Sequence, residues 1–133
     1  MPGPQARVVT IVEDDPSMSR ALQRILRIGG FGTASYTSAE ALLARDDALE
    51  GSCLVVDVQL PGMNGFALRR RLAARGKVPP VVFISAFDER AAAAEAAALD
   101  ACTFLAKPFR GRTLLETIDR LLDTGGEERV IHA

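Results

Sequence analysis

Apolar runs alternate with helix-spaced apolar positions five times along the chain. Val8–Val12 reads as a first strand, short and rich in β-branched residues. Pro16–Ile28 follows as a helix, with Met18, Leu22, Ile25 and Leu26 on one face, and Gly29-Gly30 ends it. Gly32–Tyr36 is a weaker second strand. Ser38 can cap a second helix that runs to about Leu49. Cys53–Val56 is a third strand, apolar at every position, as a strand covered on both faces requires. Asn64 can cap a third helix ending near Arg75, with Arg69, Arg70 and Arg71 turned to solvent. Val81–Ile84 is the fourth strand, and Asp88 can cap an alanine-rich fourth helix through Ala98. Ala101–Ala106 holds the fifth strand. Thr113–Leu122 is the fifth helix, its stripe formed by Leu114, Leu115, Ile118, Leu121 and Leu122.

Strands alternating with helices at this spacing imply right-handed crossovers and a parallel sheet covered on both faces. The fold class expected is therefore α/β, a doubly wound (βα)5 domain whose ligand crevice lies at the carboxyl ends of the strands. The domain spans residues 8–123. Residues 1–7 form an N-terminal tail, and residues 124–133, with Gly125-Gly126, form a C-terminal tail or the start of a linker.

Composition adds exclusions. The 133 residues suit one domain, and 48% are apolar, enough for a core without staples. Sixteen cationic residues oppose seventeen acidic ones, so direct nucleic-acid binding and attraction to an anionic membrane are not expected. Cys53 and Cys102 are far apart and the one histidine is His132, which leaves no zinc-type spacing. There is no bilayer-length apolar stretch, and the N-terminus has no signal-peptide core, so the expected location is the cytoplasm.

The informative chemistry lies after the strands. The first runs into Glu13-Asp14-Asp15, the third into Asp57, the fourth into Ser85 and the fifth into Lys107-Pro108. The second ends in Tyr36-Thr37-Ser38, without charge, and strand order 2-1-3-4-5 would make the other four contiguous. Each piece alone has an ordinary structural use. Asp15-Pro16, for example, is an N-cap with proline at the first helical position. Together they converge on one edge. Three carboxylates 4–5 Å apart would repel by roughly 4 kcal/mol per pair at an effective dielectric near 20. Asp14, Asp15 and Asp57 sum to three negative charges, Lys107 removes one, and a divalent cation would neutralise the rest. Mg²⁺ (or Mn²⁺) suits a few carboxylates and bridges readily to phosphate oxygens, so the chemistry suggested is metal-assisted phosphoryl transfer onto a carboxylate.

These residues carry a resemblance. VEDD (Val12–Asp15), VVDVQLPGMNG (Val55–Gly65), FISA (Phe83–Ala86) and FLAKPF (Phe104–Phe109) occur in the order found in response-regulator receiver domains of bacterial two-component systems. The chain resembles that family from about Val8 to Leu122, and its wording is most similar to receivers of nitrogen-fixation and LuxR-type regulators. The resemblance implies a flavodoxin-like fold and a phosphoacceptor at Asp57. It implies a metal set of Asp14, Asp15, Asp57 and the Gln59 carbonyl. Ser85 and Lys107 would contact the phosphoryl group, Ser85 and Phe104 would form the switch, and the Lys107-Pro108 peptide would be cis. Phe104 stands where a tyrosine is common, so a step needing that hydroxyl is not available here.

The partner implied is a histidine kinase or a histidine phosphotransfer protein. The output would pass through the surface of the fourth helix, fifth strand and fifth helix, to a target protein, an effector domain beyond this chain, or a phosphorylation-dependent homodimer. The domain would assist its own phosphotransfer and dephosphorylation without being an enzyme with a separate substrate. The main alternative is a pseudo-receiver, a protein-interaction module that is never phosphorylated. An aspartate-nucleophile phosphatase would need a second acid two residues after Asp57, where Gln59 stands, and a nucleotide switch would need a GxxxxGK loop.

Overall fold

The structure is a computed structural model and describes residues 7–45, 53–77, 79–85, 90–99 and 102–131, without the side chains of 90–92 and 123–131. Its elements are β1 (Val8–Val12), α1 (Pro16–Ile28), β2 (Gly32–Tyr36), α2 (Ala39–Leu43), β3 (Cys53–Asp57), α3 (Gly65–Ala74), β4 (Val81–Ser85), α4 (Arg90–Ala97), β5 (Cys102–Ala106) and α5 (Gly111–Ile131). All four strand pairings are parallel, in the order β2-β1-β3-β4-β5 expected from the sequence. This is the doubly wound, flavodoxin-like (βα)5 fold.

Strand periodicity builds two cores. Leu54 and Val56 of β3 face the cluster formed with Leu42, Phe66, Leu68 and Leu72 of α2 and α3 and with Ala96 of α4. Cys53 and Val55 face the opposite cluster, formed with Leu22 and Leu26 of α1 and Leu114 and Ile118 of α5. Phe66 and Phe83 stack tilted in the first cluster, with ring centroids 4.4 Å apart. The caps fall where the sequence puts them. Asp15 Oδ1 accepts from the Ser17 amide, Ser38 Oγ from Ala41, and Asn64 Oδ1 from Ala67.

Some boundaries differ. β3 and β4 each run one residue further than expected, so Asp57 and Ser85 are the last ladder positions of their strands. The second helix does not reach Leu49 as expected. It ends at Leu43 with Ala44 as its C-cap, and the Arg45 amide tightens onto Leu42 O at 2.9 Å instead of continuing the helical ladder. The Asp88 cap and Ala101 fall outside the described residues. α5 is longer than Thr113–Leu122. It starts at Gly111 and continues through Gly125-Gly126 to Ile131, where a tail or linker is expected. A glycine weakens a helix by about 1 kcal/mol relative to alanine. It does not stop one already nucleated on packed turns such as Leu114–Ile118, because each further residue adds a hydrogen bond.

Candidate functional site

The site is assembled by strand ends. Glu13 follows β1 directly, and its amide extends the ladder by donating to Tyr36 O at 3.0 Å. That extended backbone carries its side chain inward, where it is 1% exposed. Asp14 is exposed beside it. Asp57 closes β3 and is 6% exposed. The Gln59 amide donates to Asp57 Oδ1 at 2.8 Å, while Lys107 Nζ lies 3.2 Å from Asp57 Oδ2 and 3.4 Å from Glu13 Oε1. One ammonium therefore bridges carboxylates delivered by β1 and β3.

Lys107 is aimed by its own backbone. Its amide donates to Ser85 O at 2.6 Å, continuing the β4–β5 ladder, and the following Lys107-Pro108 peptide is cis. Ser85 is fully buried at the end of β4. Phe104 pairs in register with Phe83 and packs, partly buried, against the cluster beneath α2, α3 and α4. Beyond Asp57, Gly65 presses α3 onto the strand end, since a Cβ there would sit 2.9 Å from Asp57 O. The site thus rests on packed backbone at both ends of the loop.

The acidic group differs in one member from the one expected. Oxygens of Glu13, Asp14 and Asp57 lie within 4.8 Å of one another, and among the described residues this is the group able to hold a metal ion. Asp15 is not in it, because its carboxylate is turned to the Ser17 amide at 3.0 Å as the cap of α1. Three consecutive acids cannot all point one way at a strand end. The Asp15-Pro16 signature already marks the residue spent on the helix. Gln59 is exposed, with its amide committed to Asp57.

The charges explain why a cation fits. Glu13, Asp14, Asp57 and Lys107 carry a net charge near −2 on a partly dry strand edge. Burial pushes the Glu13 carboxyl above its usual value, the Asp15 amide opposes this, and the Asp57 charge adds to the rise. For Lys107 burial acts downward, but the neighbouring Asp57 and Glu13 carboxylates outweigh it and its affinity for its proton rises. Hard carboxylate oxygens at this separation match the donor preference of Mg²⁺.

A parallel five-stranded sheet with this edge defines a receiver-type signalling domain. Residues 9–119 match the family described as response regulator receiver domain, and the chain belongs to that family. It is 34% identical over 125 residues to the response regulator protein TmoT of Ectopseudomonas mendocina, covering 94% of this chain and 57% of that protein. It is 30% identical over 125 residues to the transcriptional regulatory protein FixJ of Azorhizobium caulinodans, covering 94% of this chain and 59% of that one. The chain thus spans just over half the length of these curated relatives. Among solved structures, FixJ-N superposes with a TM-score of 0.80 at 32% identity, covering 88% of this chain and 94% of that one. A response regulator receiver protein from Burkholderia phymatum superposes at 0.75 and 37% identity, covering 88% and 95%. Among the described residues no helix is long and apolar enough to cross a membrane.

Proposed function

We propose that this receiver accepts a phosphoryl group on Asp57 from a histidine kinase or a histidine phosphotransfer protein, in the cytoplasm and with Mg²⁺ (or Mn²⁺) bound. The observation that supports it is Asp57 itself, a buried carboxylate with one oxygen held by a backbone amide and the other facing Lys107. Glu13, Asp14 and Asp57 would hold the cation, with the Gln59 carbonyl as a further candidate, and Asp15 serves the helix instead. The cation supplies charge neutralisation for the transferring phosphoryl oxygens.

The chain's own residues do the rest. An Asp57 oxygen attacks phosphorus, the new O–P bond forms as the P–N bond of the phosphohistidine breaks, and the imidazole leaves with the bonding pair. Lys107 stays in place as a compact point charge and meets a phosphoryl oxygen once Asp57 Oδ2 is engaged. The Ser85 hydroxyl then turns to the new oxygens and draws the end of β4 inward, which gives Phe104 room to turn in. That population shift reshapes the α4-β5-α5 surface for a target protein, an effector domain or a second copy.

The test is phosphate-affinity electrophoresis after incubation with acetyl phosphate and Mg²⁺. The wild type shifts and Asp57→Ala does not. Equal behaviour of the two, together with no calorimetric Mg²⁺ binding at millimolar concentration, would establish a pseudo-receiver instead.

A further inference from the structure

Glu40 stands in the first turn of α2, outside the carboxylate cluster, and reaches the segment that follows Asp57. Its Oε2 accepts a hydrogen bond from the Met63 amide at 3.1 Å, across a sequence separation of 23 residues. Gly62, next to that amide, has φ +75°, and a Cβ there would lie 2.9 Å from the same carboxylate oxygen. The position calls for glycine through its left-handed backbone, and a side chain there would push the Glu40 carboxylate off the Met63 amide. Leu60-Pro61-Gly62-Met63, with proline second and left-handed glycine third, carries the signature of a type II turn.

This turn is tied down at both ends. On the Asp57 side the Gln59 amide donates to Asp57 Oδ1 at 2.8 Å and Leu60 is buried in the core. On the α3 side the Gly65 amide donates to Val58 O at 3.1 Å, and Asn64 caps the helix. At the corner between these points Gly62 is exposed, Met63 packs partly buried against the core cluster, and the Glu40 carboxylate supplies the hydrogen bond that another element contributes to its backbone.

We infer that Glu40 is a positioning residue for the phosphoacceptor. By holding the Gly62–Met63 corner it keeps the Gln59 amide on Asp57 Oδ1, and so keeps Oδ2 turned toward Lys107 and the other carboxylates. The inference rests on the phosphoacceptor reading above. Without the carboxylate the Met63 amide finds water, so the fold loses little. The turn, however, gains freedom directly beside a reacting group, where small displacements are costly.

The experiment compares Glu40→Ala with Glu40→Gln in the whole chain, because glutamine keeps the acceptor oxygen and removes only the charge. Amide hydrogen exchange is followed at Gln59, Met63 and, as a core control, Val56, and Mg²⁺ affinity is measured by calorimetry. In Glu40→Ala, Gln59 and Met63 exchange about fivefold faster and Mg²⁺ binds about fivefold more weakly, the scale of one hydrogen bond, with Val56 unchanged. Glu40→Gln stays within about twofold of wild type on every readout. The inference is overturned if Glu40→Ala keeps wild-type Gln59 exchange, or if glutamine is as damaging as alanine. A wild type that neither binds Mg²⁺ nor becomes labelled refutes the phosphoacceptor reading. In that case the Gln59 exchange ratio alone accepts or rejects the positioning.

Discussion

The helices α1 and α4 cover opposite faces of one sheet and are attached to it by different means. α1 is capped by Asp15, starts with Pro16, and sinks Leu22 and Leu26 completely while Met18 and Ile25 pack at its margin. Among the described side chains of α4 only Ala96 is fully buried, with Leu99 packing just past its end. Its Glu95 meets Arg70 of α3 at 3.4 Å, but both side chains are exposed. A buried leucine contributes about 1.5–3 kcal/mol, whereas an alanine methyl contributes about 0.8. The α1 face is therefore built to stay. Among the described side chains, the α4 face, which adjoins Phe104, is held by less buried apolar area.

The comparison is broken most directly by mutation. Leu22→Ala is expected to cost about 3 kcal/mol in urea denaturation, from lost burial and the cavity left behind. A loss under 1 kcal/mol would mean α1 is no better anchored than α4.

The two thiols give the next measurement, since Cys53 lies beneath α1 and Cys102 only partly buried on the α4 side. Burial pushes the Cys53 thiol from 9.0 up to about 12. The folded state then keeps a proton that the unfolded chain releases. The associated stability is fully present below pH 9 and is lost as pH rises toward 12, by about 1.4 kcal/mol per unit. Denaturation midpoints at pH 8 and pH 10 should fall further for wild type than for Cys53→Ala. At pH 8 iodoacetamide should modify Cys102 long before Cys53.

Ala96→Gly should cost about 1.5–2 kcal/mol, its helix propensity and one buried methyl together. Glu95→Ala should cost about 0.5 kcal/mol or less, and that loss should shrink further as salt is added, as for an exposed pair. An Ala96→Gly loss as large as that of Leu22→Ala would remove the distinction between the faces.

Much of this was readable in the residues. Largely apolar runs placed four of the strands and the alternation placed the weaker Gly32–Tyr36, and the charged or polar residues after four of the five placed the edge where Asp57, Ser85 and Lys107 meet. Periodicity could not say which of Glu13, Asp14 and Asp15 turns inward, because that depends on how far the β1–β2 ladder continues. The ladder continues through Glu13, whose amide reaches Tyr36 O, while Asp15 turns to Ser17. The cap signature was the available clue, and it conflicts with a second duty for the same carboxylate. Glu40 carried no signal at all, since its bond to Met63 crosses 23 residues and depends on where α2 settles. The length of α5 was hidden for a different reason. Two glycines weaken a helix locally, but whether it ends there depends on how firmly the preceding turns are seated.

The bridge from Lys107 to Glu13 and Asp57 also has a consequence in time. The chain is made from its N-terminus, and Lys107 follows Glu13 by 94 residues and Asp57 by 50. At about 5–20 residues per second, the acids wait roughly 2.5–10 seconds after Asp57 is made before their counter-charge exists. Until β5 docks, gathering these carboxylates is opposed by their own repulsion. The nascent chain therefore has reason to leave this edge open and to close it only when the last strand brings the lysine.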